Sequence, residues 1–191
     1  LAQELSRILP SGSRVLDIGC GDGWISRLVA TSSECEVEGV DVLVRSETHI
    51  PVSGFDGRSL PYGDGEFGAA MLVDVLHHAH DPLALLREAA RVASVCIVVK
   101  DHNRNGFLAG ATLALMDRVG NRRHGVSLPY NYWSREEWRR AFEKLGLGVA
   151  VYRDKLGLYA FPAGLAFDRS LHFVARLEPN DAGGATAITR S

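Results

Sequence analysis

One short segment, Val15–Gly23, constrains the fold more than any other part of the 191-residue chain. The apolar run Arg14–Ile18 is typical of a short buried strand, and helical periodicity begins at Trp24. Between them lies a turn with glycine at every second position, namely Gly19, Gly21 and Gly23. Glycine permits backbone angles closed to other residues and lets a ligand approach the main chain closely. A strand, a glycine-rich turn and a helix predict a parallel α/β sheet with a ligand site at the carboxyl end of the first strand.

The rest of the first hundred residues alternates strand-like apolar runs with helical periods, as expected for a parallel sheet with right-handed crossovers. Further strands are predicted at Glu36–Val42, Ile50–Phe55, Phe67–Val75 and Val95–Lys100, with a helix from Asp81-Pro82 to Val92. Only about eight residues separate the second strand from the third, too few for a crossover helix. We expect that helix to be vestigial.

The regular alternation of predicted strands and helices ends after Lys100. Helices are predicted over Gly106–Val119 and from Ser134 to near Gly146, and Gly148–Arg153 with Leu171–Leu177 fits a closing antiparallel pair. We therefore expect one domain over residues 1–177, a lid-like insertion at about 103–133 and a flexible tail over 178–191.

Composition and charge limit the partners and the cell compartment expected for such a domain. Apolar residues make up 46% and charged residues 23%, as in ordinary soluble proteins. The net charge of −2 attracts neither nucleic acid nor anionic membrane, and a basic cluster at Arg118, Arg122, Arg123 and His124 is read as a solvated helix end. Three cysteines without a C-x-x-C pair suit a reducing cytoplasm. No apolar run reaches the roughly 18 residues of a membrane span.

The glycine-rich turn fits a dinucleotide poorly. The dinucleotide fingerprint G-x-G-x-x-G needs a third small residue, and counting from Gly19 that position holds Trp24. Asp17 beside the turn would repel a pyrophosphate, whereas it suits a ligand that carries an ammonium and a sulfonium. Both features favour S-adenosylmethionine (SAM) over a nicotinamide cofactor.

Asp41 stands near the end of the second predicted strand, within Gly39–Val42. A carboxylate at that place can accept both ribose hydroxyl protons of a nucleotide-like ligand. Since SAM and NAD share the ribose, Asp41 does not separate them. The alternative for a lone aspartate at a strand end is a turn cap, and the sequence leaves it open.

Five segments carry a resemblance to a known family: VLDIGCGDGW, GVDV, DGRSLPYGDGEFG, VDVLHHAHDP and LLREAARV, in this order. Together they resemble the class I SAM-dependent methyltransferases, particularly the small-molecule group that includes the ubiquinone and menaquinone enzymes. The resemblance spans Arg14 to Lys100. It implies an α/β Rossmann-like fold, with a mostly parallel seven-stranded sheet, an antiparallel last strand and helices on both faces.

The resemblance also implies where SAM would bind. The positions are Asp17, Gly19 and Gly21 for the methionine part, Asp41 for the ribose, Asp56 and Gly57 for the adenine, and Val73 and Asp74 for the methionyl end near the reactive methyl. The chain departs from the family pattern in the shortened segment Leu43–His49, on the adenine side.

Two motifs are candidates for the acceptor side. The run His77-His78-x-His80-Asp81 does not place three ligands on one helical face, so no metal site is predicted there. A capping role for these histidines is the plainer alternative to a proton acceptor for O- or N-methylation. Lys100-Asp101-His102 follows an apolar strand and could equally cap a turn. His102 is the first candidate for a general base and His77 the second.

The segment Gly106–Trp133 holds too many apolar residues for a narrow core stripe. We expect a lid over an apolar substrate, lined by Tyr130, Tyr132 and Trp133. A plain core or a homodimer face explains the same residues. The predicted function is methylation of a small, partly apolar molecule, and the main alternative is a non-catalytic SAM-binding module. A nicotinamide-dependent oxidoreductase and a nucleic-acid methyltransferase fit the sequence less well.

Overall fold

The computed structural model describes residues 1–106, 108–120, 131–158 and 170–180, without the side chains of 115 and 117–120. Its strands are β1 Arg14–Ile18, β2 Glu36–Asp41, β3 Val52–Gly54, β4 Phe67–Val73, β5 Ala93–His102, β6 Leu147–Arg153 and β7 His172–Pro179. Its helices are α1 Ala2–Ile8, α2 Trp24–Ser33, α3 Pro82–Val92, α4 Ala109–Gly120 and α5 Arg135–Lys144, with a 3₁₀ turn at Leu76–His78.

The strands form one seven-stranded sheet in the order β3-β2-β1-β4-β5-β7-β6. The first five pair in parallel, and β7 inserts antiparallel between β5 and β6. The carboxyl ends of β1, β2, β4 and β5 therefore lie along one edge of the sheet, where open α/β sheets bind ligands. The predicted fold class is confirmed.

Helices cover both faces of the sheet, because successive strand side chains point to opposite sides. Val15 packs on one face in a buried cluster with Leu5 of α1 and Val29 of α2. Leu16 packs on the other with Leu86 of α3, in a cluster that also contains residues of α5. A core on each face fixes β1 rigidly, and β1 carries the start of the candidate site.

The boundaries differ from the predicted ones at informative places. β5 runs on to His102, because residues 97–102 all pair with β7. β7 likewise continues to Pro179, so residues 178 and 179 pair with β6 and do not begin a tail. Residues 42–51 between β2 and β3 contain no helix, as expected. In the part of the chain that the structure describes, no helix has the length and apolar character needed to cross a membrane.

Candidate cofactor and acceptor site

The glycine-rich turn is tied across the end of β2. The N–H groups of Gly19 and Cys20 both donate to the carbonyl oxygen of Val40, at 2.7 and 3.2 Å. Gly19 has a φ of 76°, and a Cβ added there would lie 2.6 Å from Cγ2 of Val75. Glycine is therefore required at this position both by the left-handed backbone and by the close approach of the chain that follows β4.

Asp17 lies under this turn and is only 3% exposed. Its Oδ2 accepts a short hydrogen bond from the Ser26 hydroxyl of α2. Its Oδ1 has no hydrogen-bond partner among the residues that the structure describes. Burial raises the pKa of this carboxyl to about 7, with a smaller contribution from the charge of Asp41, although the Ser26 hydrogen bond opposes the rise. An oxygen so placed can accept a hydrogen bond from a bound cationic group.

Asp41, the last residue of β2, holds the turn from the other side. Its Oδ2 accepts from the N–H of Gly21 at 2.8 Å, and its Oδ1 from the N–H of Leu43 at 2.9 Å. The carboxylate is thus a turn cap, the alternative that the sequence left open. Each carboxylate oxygen has a second acceptor site, so a ribose can still be bound at this strand end.

Asp56 and Gly57 lie in the loop after β3. Oδ1 of the exposed Asp56 accepts from the N–H groups of Arg58 and Ser59, each at 2.8 Å, and these donors hold its pKa below the ordinary value. Gly57 has a φ of 76°, and a Cβ there would lie 3.1 Å from Val42. Val42 is 67% exposed, so an uncovered apolar surface adjoins the predicted adenine position.

Asp74 directly follows Val73, the end of β4. It adopts the left-handed conformation with a φ of 58°, an uncommon state for a non-glycine residue and one found at functional sites. Its carboxylate oxygens lie 2.5 and 2.6 Å from Nζ of Lys100. Burial would raise the pKa of Asp74, but Lys100, and after it His102, keep that pKa below the ordinary value.

The structure joins the two candidate acceptor motifs into one polar cluster. Nδ1 of His77 lies 2.7 Å from Oδ1 of Asp101 and 3.4 Å from Nδ1 of His102. The N–H of Leu76 donates to Oδ2 of Asp101 at 3.0 Å. Both histidines and Asp101 are buried. Burial opposes ionisation of Asp101, yet His77 and the hydrogen bonds hold its pKa far below the ordinary value.

His172, which sequence reasoning missed, backs this cluster. It is the first residue of β7 and pairs with His102 across the two strands. Its ring centroid lies 4.8 Å from that of His102, and its Nδ1 lies 3.5 Å from Nζ of Lys100. No local pattern marks His172, because its position depends on the register between strands 70 residues apart. The exposed His80 is not among the clustered ligands.

The three predicted substrate-binding residues have different surroundings. Tyr132 is buried, stacks on His77 with ring centroids 5.6 Å apart, and packs with Leu113 and Leu171. Trp133 lies edge to face with Trp138 of α5 at 4.7 Å, against the main core. Tyr130 lies outside the described residues. Of the two predicted substrate-binding residues that the structure describes, Tyr132 is therefore the one that lies at the polar cluster.

Comparison with known proteins finds relatives that are similar to this chain in sequence. The 27-O-demethylrifamycin SV methyltransferase of Amycolatopsis mediterranei is 30% identical over 107 residues, 48% of this chain and 39% of that protein. The ubiquinone biosynthesis O-methyltransferase of Bordetella parapertussis is 32% identical over 95 residues, 44% of this chain and 39% of that protein. The chain thus spans about two fifths of the length of these curated relatives.

A solved structure and a family model extend the similarity. The SAM-dependent methyltransferase of Methanosarcina mazei superposes with a TM-score of 0.69 at 17% identity, covering 94% of this chain and 98% of that one, which supports the fold. The model of a family described as a methyltransferase domain matches residues 1–150. The cofactor implied by this family is SAM, as the glycine-rich turn predicted. The chain belongs to the methyltransferase-domain family.

Proposed function

We propose that this domain transfers the methyl group of SAM to a hydroxyl group of a small, partly apolar molecule. The observation that carries the proposal is the buried cluster of His77, Asp101 and His102 beside Asp74, at the sheet edge that also holds the glycine-rich turn. The relative from Amycolatopsis is named a 27-O-demethylrifamycin SV methyltransferase and the relative from Bordetella a ubiquinone biosynthesis O-methyltransferase, which supports an oxygen acceptor.

The residues on the cofactor side fit SAM. Oδ1 of Asp17 is buried without a hydrogen-bond partner in the described chain, and the ammonium of the methionine part would satisfy it. The open turn at Gly21, where an added Cβ would meet nothing within 4 Å, leaves room for the methionine part beside Asp41. When bound, SAM supplies a methyl group already activated by the sulfonium. The protein then has to position the acceptor and remove its proton.

The residues on the acceptor side fit a hydroxyl that must lose a proton. We assign His102 as the proton-accepting candidate and His77 as the second, both oriented by Asp101. Tyr132, with Leu113 of α4, covers these polar groups with an apolar layer. This layer, within the lid-like insertion 103–133, is why we propose a partly apolar acceptor. The three cysteines of the chain are free thiols, which suits a reducing cytoplasm.

Replacing Asp41 by alanine is expected to weaken binding of S-adenosylhomocysteine (SAH) more than tenfold. Loss of one or two charged hydrogen bonds to the ribose removes about 1.5–3 kcal/mol each. Isothermal titration calorimetry of wild type and Asp41→Ala measures the difference. Asp64→Ala is the matched control. Asp64 lies in the loop before β4, is 83% exposed and pairs with Arg91 of α3. Equal affinity in wild type and Asp41→Ala would exclude the ribose contact.

Replacing His102 by alanine is expected to lower methyl transfer about 100-fold or more, since general-base catalysis contributes at least that much. The affinity for SAH should stay the same, because His102 lies on the acceptor side. SAH release over a panel of small phenols and alcohols measures transfer, with the exposed His80→Ala as the control. Methyl transfer at the wild-type rate in His102→Ala would contradict the role of His102 as the proton acceptor. Tight SAH binding with no acceptor used would favour the non-catalytic alternative.

A further inference from the structure

Four candidate metal ligands converge where β4 and β5 end. Asp74, His77, Asp101 and His102 each offer one ligand atom, and these atoms all lie within 4.8 Å of one another. We infer that these four residues bind a divalent transition-metal cation. The sequence predicts no metal here, because the neighbouring histidines at 77, 78 and 80 do not lie on one helical face. The set observed takes His77 alone from that run and its other members from two strand ends.

The distances from His102 to the other three ligand atoms match a four-coordinate ion. Bonds of 2.0–2.1 Å to a tetrahedral ion separate the ligand atoms by about 3.3 Å. Nδ1 of His102 lies 3.4 Å from Nδ1 of His77, 3.3 Å from Oδ1 of Asp101 and 3.6 Å from Oδ1 of Asp74. The shorter contact, 2.7 Å between His77 and Asp101, is a hydrogen bond that an ion would replace. The remaining separations, from Asp74 to His77 and to Asp101, are within 4.8 Å, so shifts of up to about 1.5 Å complete the site.

The chemistry of the set points to Zn²⁺, Mn²⁺ or Fe²⁺. Two imidazoles and two carboxylates suit these ions, whereas Cu⁺ prefers sulfur ligands and Ca²⁺ prefers oxygen alone. Hydrogen bonds from neighbouring residues hold the ligand residues in place, as metal sites require. The N–H of Leu76 holds Asp101, and Nε1 of Trp138 donates to the carbonyl oxygen of His102 at 2.9 Å.

Lys100 competes with a cation for Asp74. Its ammonium contacts both oxygens of that carboxylate, and it is itself buried. A carboxylate can bind an ammonium through one oxygen and a metal ion through the other, so the two cations can share Asp74. They repel each other across it, however. Removing the ammonium should therefore strengthen binding of the ion, while general damage to the site would weaken it.

The ion would act on the acceptor, and this role rests on the proposed function. A divalent cation held by these four residues would take a hydroxyl oxygen as a fifth ligand, draw electron density from that oxygen and make its proton easier to remove. His77 and His102 would then serve as ligands. The ion would lower the pKa of the hydroxyl in place of a histidine base, and the released proton would pass to solvent water. His102 is required in either case, so only a measurement of metal binding separates the two roles.

The test titrates Co²⁺ into the chelator-treated, folded 191-residue chain and follows visible absorption, which reports histidine and carboxylate ligation. Wild type should bind one equivalent. Asp74→Asn, which tolerates the left-handed backbone, and Asp101→Asn should each weaken binding roughly 100-fold. His80→Gln should match wild type, since His80 is exposed and outside the set. Lys100→Gln should bind about tenfold more tightly.

Absence of Co²⁺ binding by folded wild type overturns the inference, as does equal binding in wild type and Asp74→Asn. Loss of the signal in His80→Gln would assign the ion to surface histidines and also overturn it. Titration of SAH into the chelated protein tests the proposed function separately, because Asp17 and Asp41 are not among the four ligands. SAH binding without Co²⁺ binding removes the metal site alone. Co²⁺ binding without SAH binding removes the cofactor assignment alone.

Discussion

Gly19→Ala is expected to abolish measurable SAH binding and to lower the free energy of unfolding by about 2–5 kcal/mol. The φ of 76° disfavours a Cβ, and that Cβ would lie 2.6 and 2.8 Å from the two γ-carbons of Val75. Relief requires the turn and the chain after β4 to move apart. That movement separates Asp17 and Gly21 from Asp74, which SAM would have to contact together.

Gly12→Ala is the matched control for this substitution. Gly12 has a similar φ of 66°, but an added Cβ meets nothing within 4 Å, and the residue lies before β1. It should cost only the conformational penalty, about 1–2 kcal/mol, and leave SAH affinity unchanged. Chemical denaturation and calorimetry of both variants separate the backbone penalty from the contact with Val75. Wild-type affinity in Gly19→Ala would mean that the turn does not hold the cofactor.

A second large effect is expected from pH acting on Asp17. Its pKa is raised by burial from the ordinary 3.8 to about 7, so the folded protein holds this proton more tightly than the unfolded chain. Asp17 therefore contributes stability that is fully present below about pH 4 and is lost as pH rises through about 7. The loss amounts to roughly 4 kcal/mol at most, at 1.36 kcal/mol for each unit of pKa. Asp17→Asn cannot ionise and should lack this contribution.

Thermal or urea denaturation between about pH 5 and pH 8 tests the effect in the protein without cofactor. The stability of wild type relative to Asp17→Asn should fall as pH rises. Binding should show the opposite trend, because an ammonium is bound best by the ionised carboxylate. SAH affinity of wild type should rise up to about tenfold per pH unit below pH 7 and then level off, while that of Asp17→Asn should stay weak and flat. Parallel pH profiles for the two proteins would contradict this account.

The strand, glycine-rich turn and helix that form the candidate cofactor site were predictable because their signals are local. Glycines at alternate positions after a buried strand, with Asp17 before them and Asp41 one strand later, follow from residues close together in the chain. The structure adds what local patterns cannot carry. Both carboxylate oxygens of Asp41 accept hydrogen bonds from backbone N–H groups, and Asp56 caps its own loop. These hydrogen bonds depend on turn geometry that composition does not determine.

The candidate acceptor residues were predictable one motif at a time, but their arrangement in space was not. His77 and His102 were chosen from separate motifs, and their contact depends on β4 and β5 pairing so that Val73 lies opposite Lys100. The sequence predicts that β5 ends at Lys100, two residues short, because pairing with β7 extends the strand through His102. His172 and the Asp74–Lys100 pair come from the same long-range register. Sequence patterns report the period of an element, whereas sheet register is decided by packing across the whole domain.

The insertion of β7 between β5 and β6 also bears on how the protein is made. During synthesis, the residues of the candidate cofactor site, from Asp17 to Asp74, leave the ribosome well before residues 172–179. Until those residues arrive, β5 is an edge strand, with four apolar residues, Cys96–Val99, and unpaired backbone groups available to other chains. The sheet around β5, where the candidate acceptor residues lie, is thus both the last part to assemble and the part most exposed to aggregation while the nascent chain is incomplete.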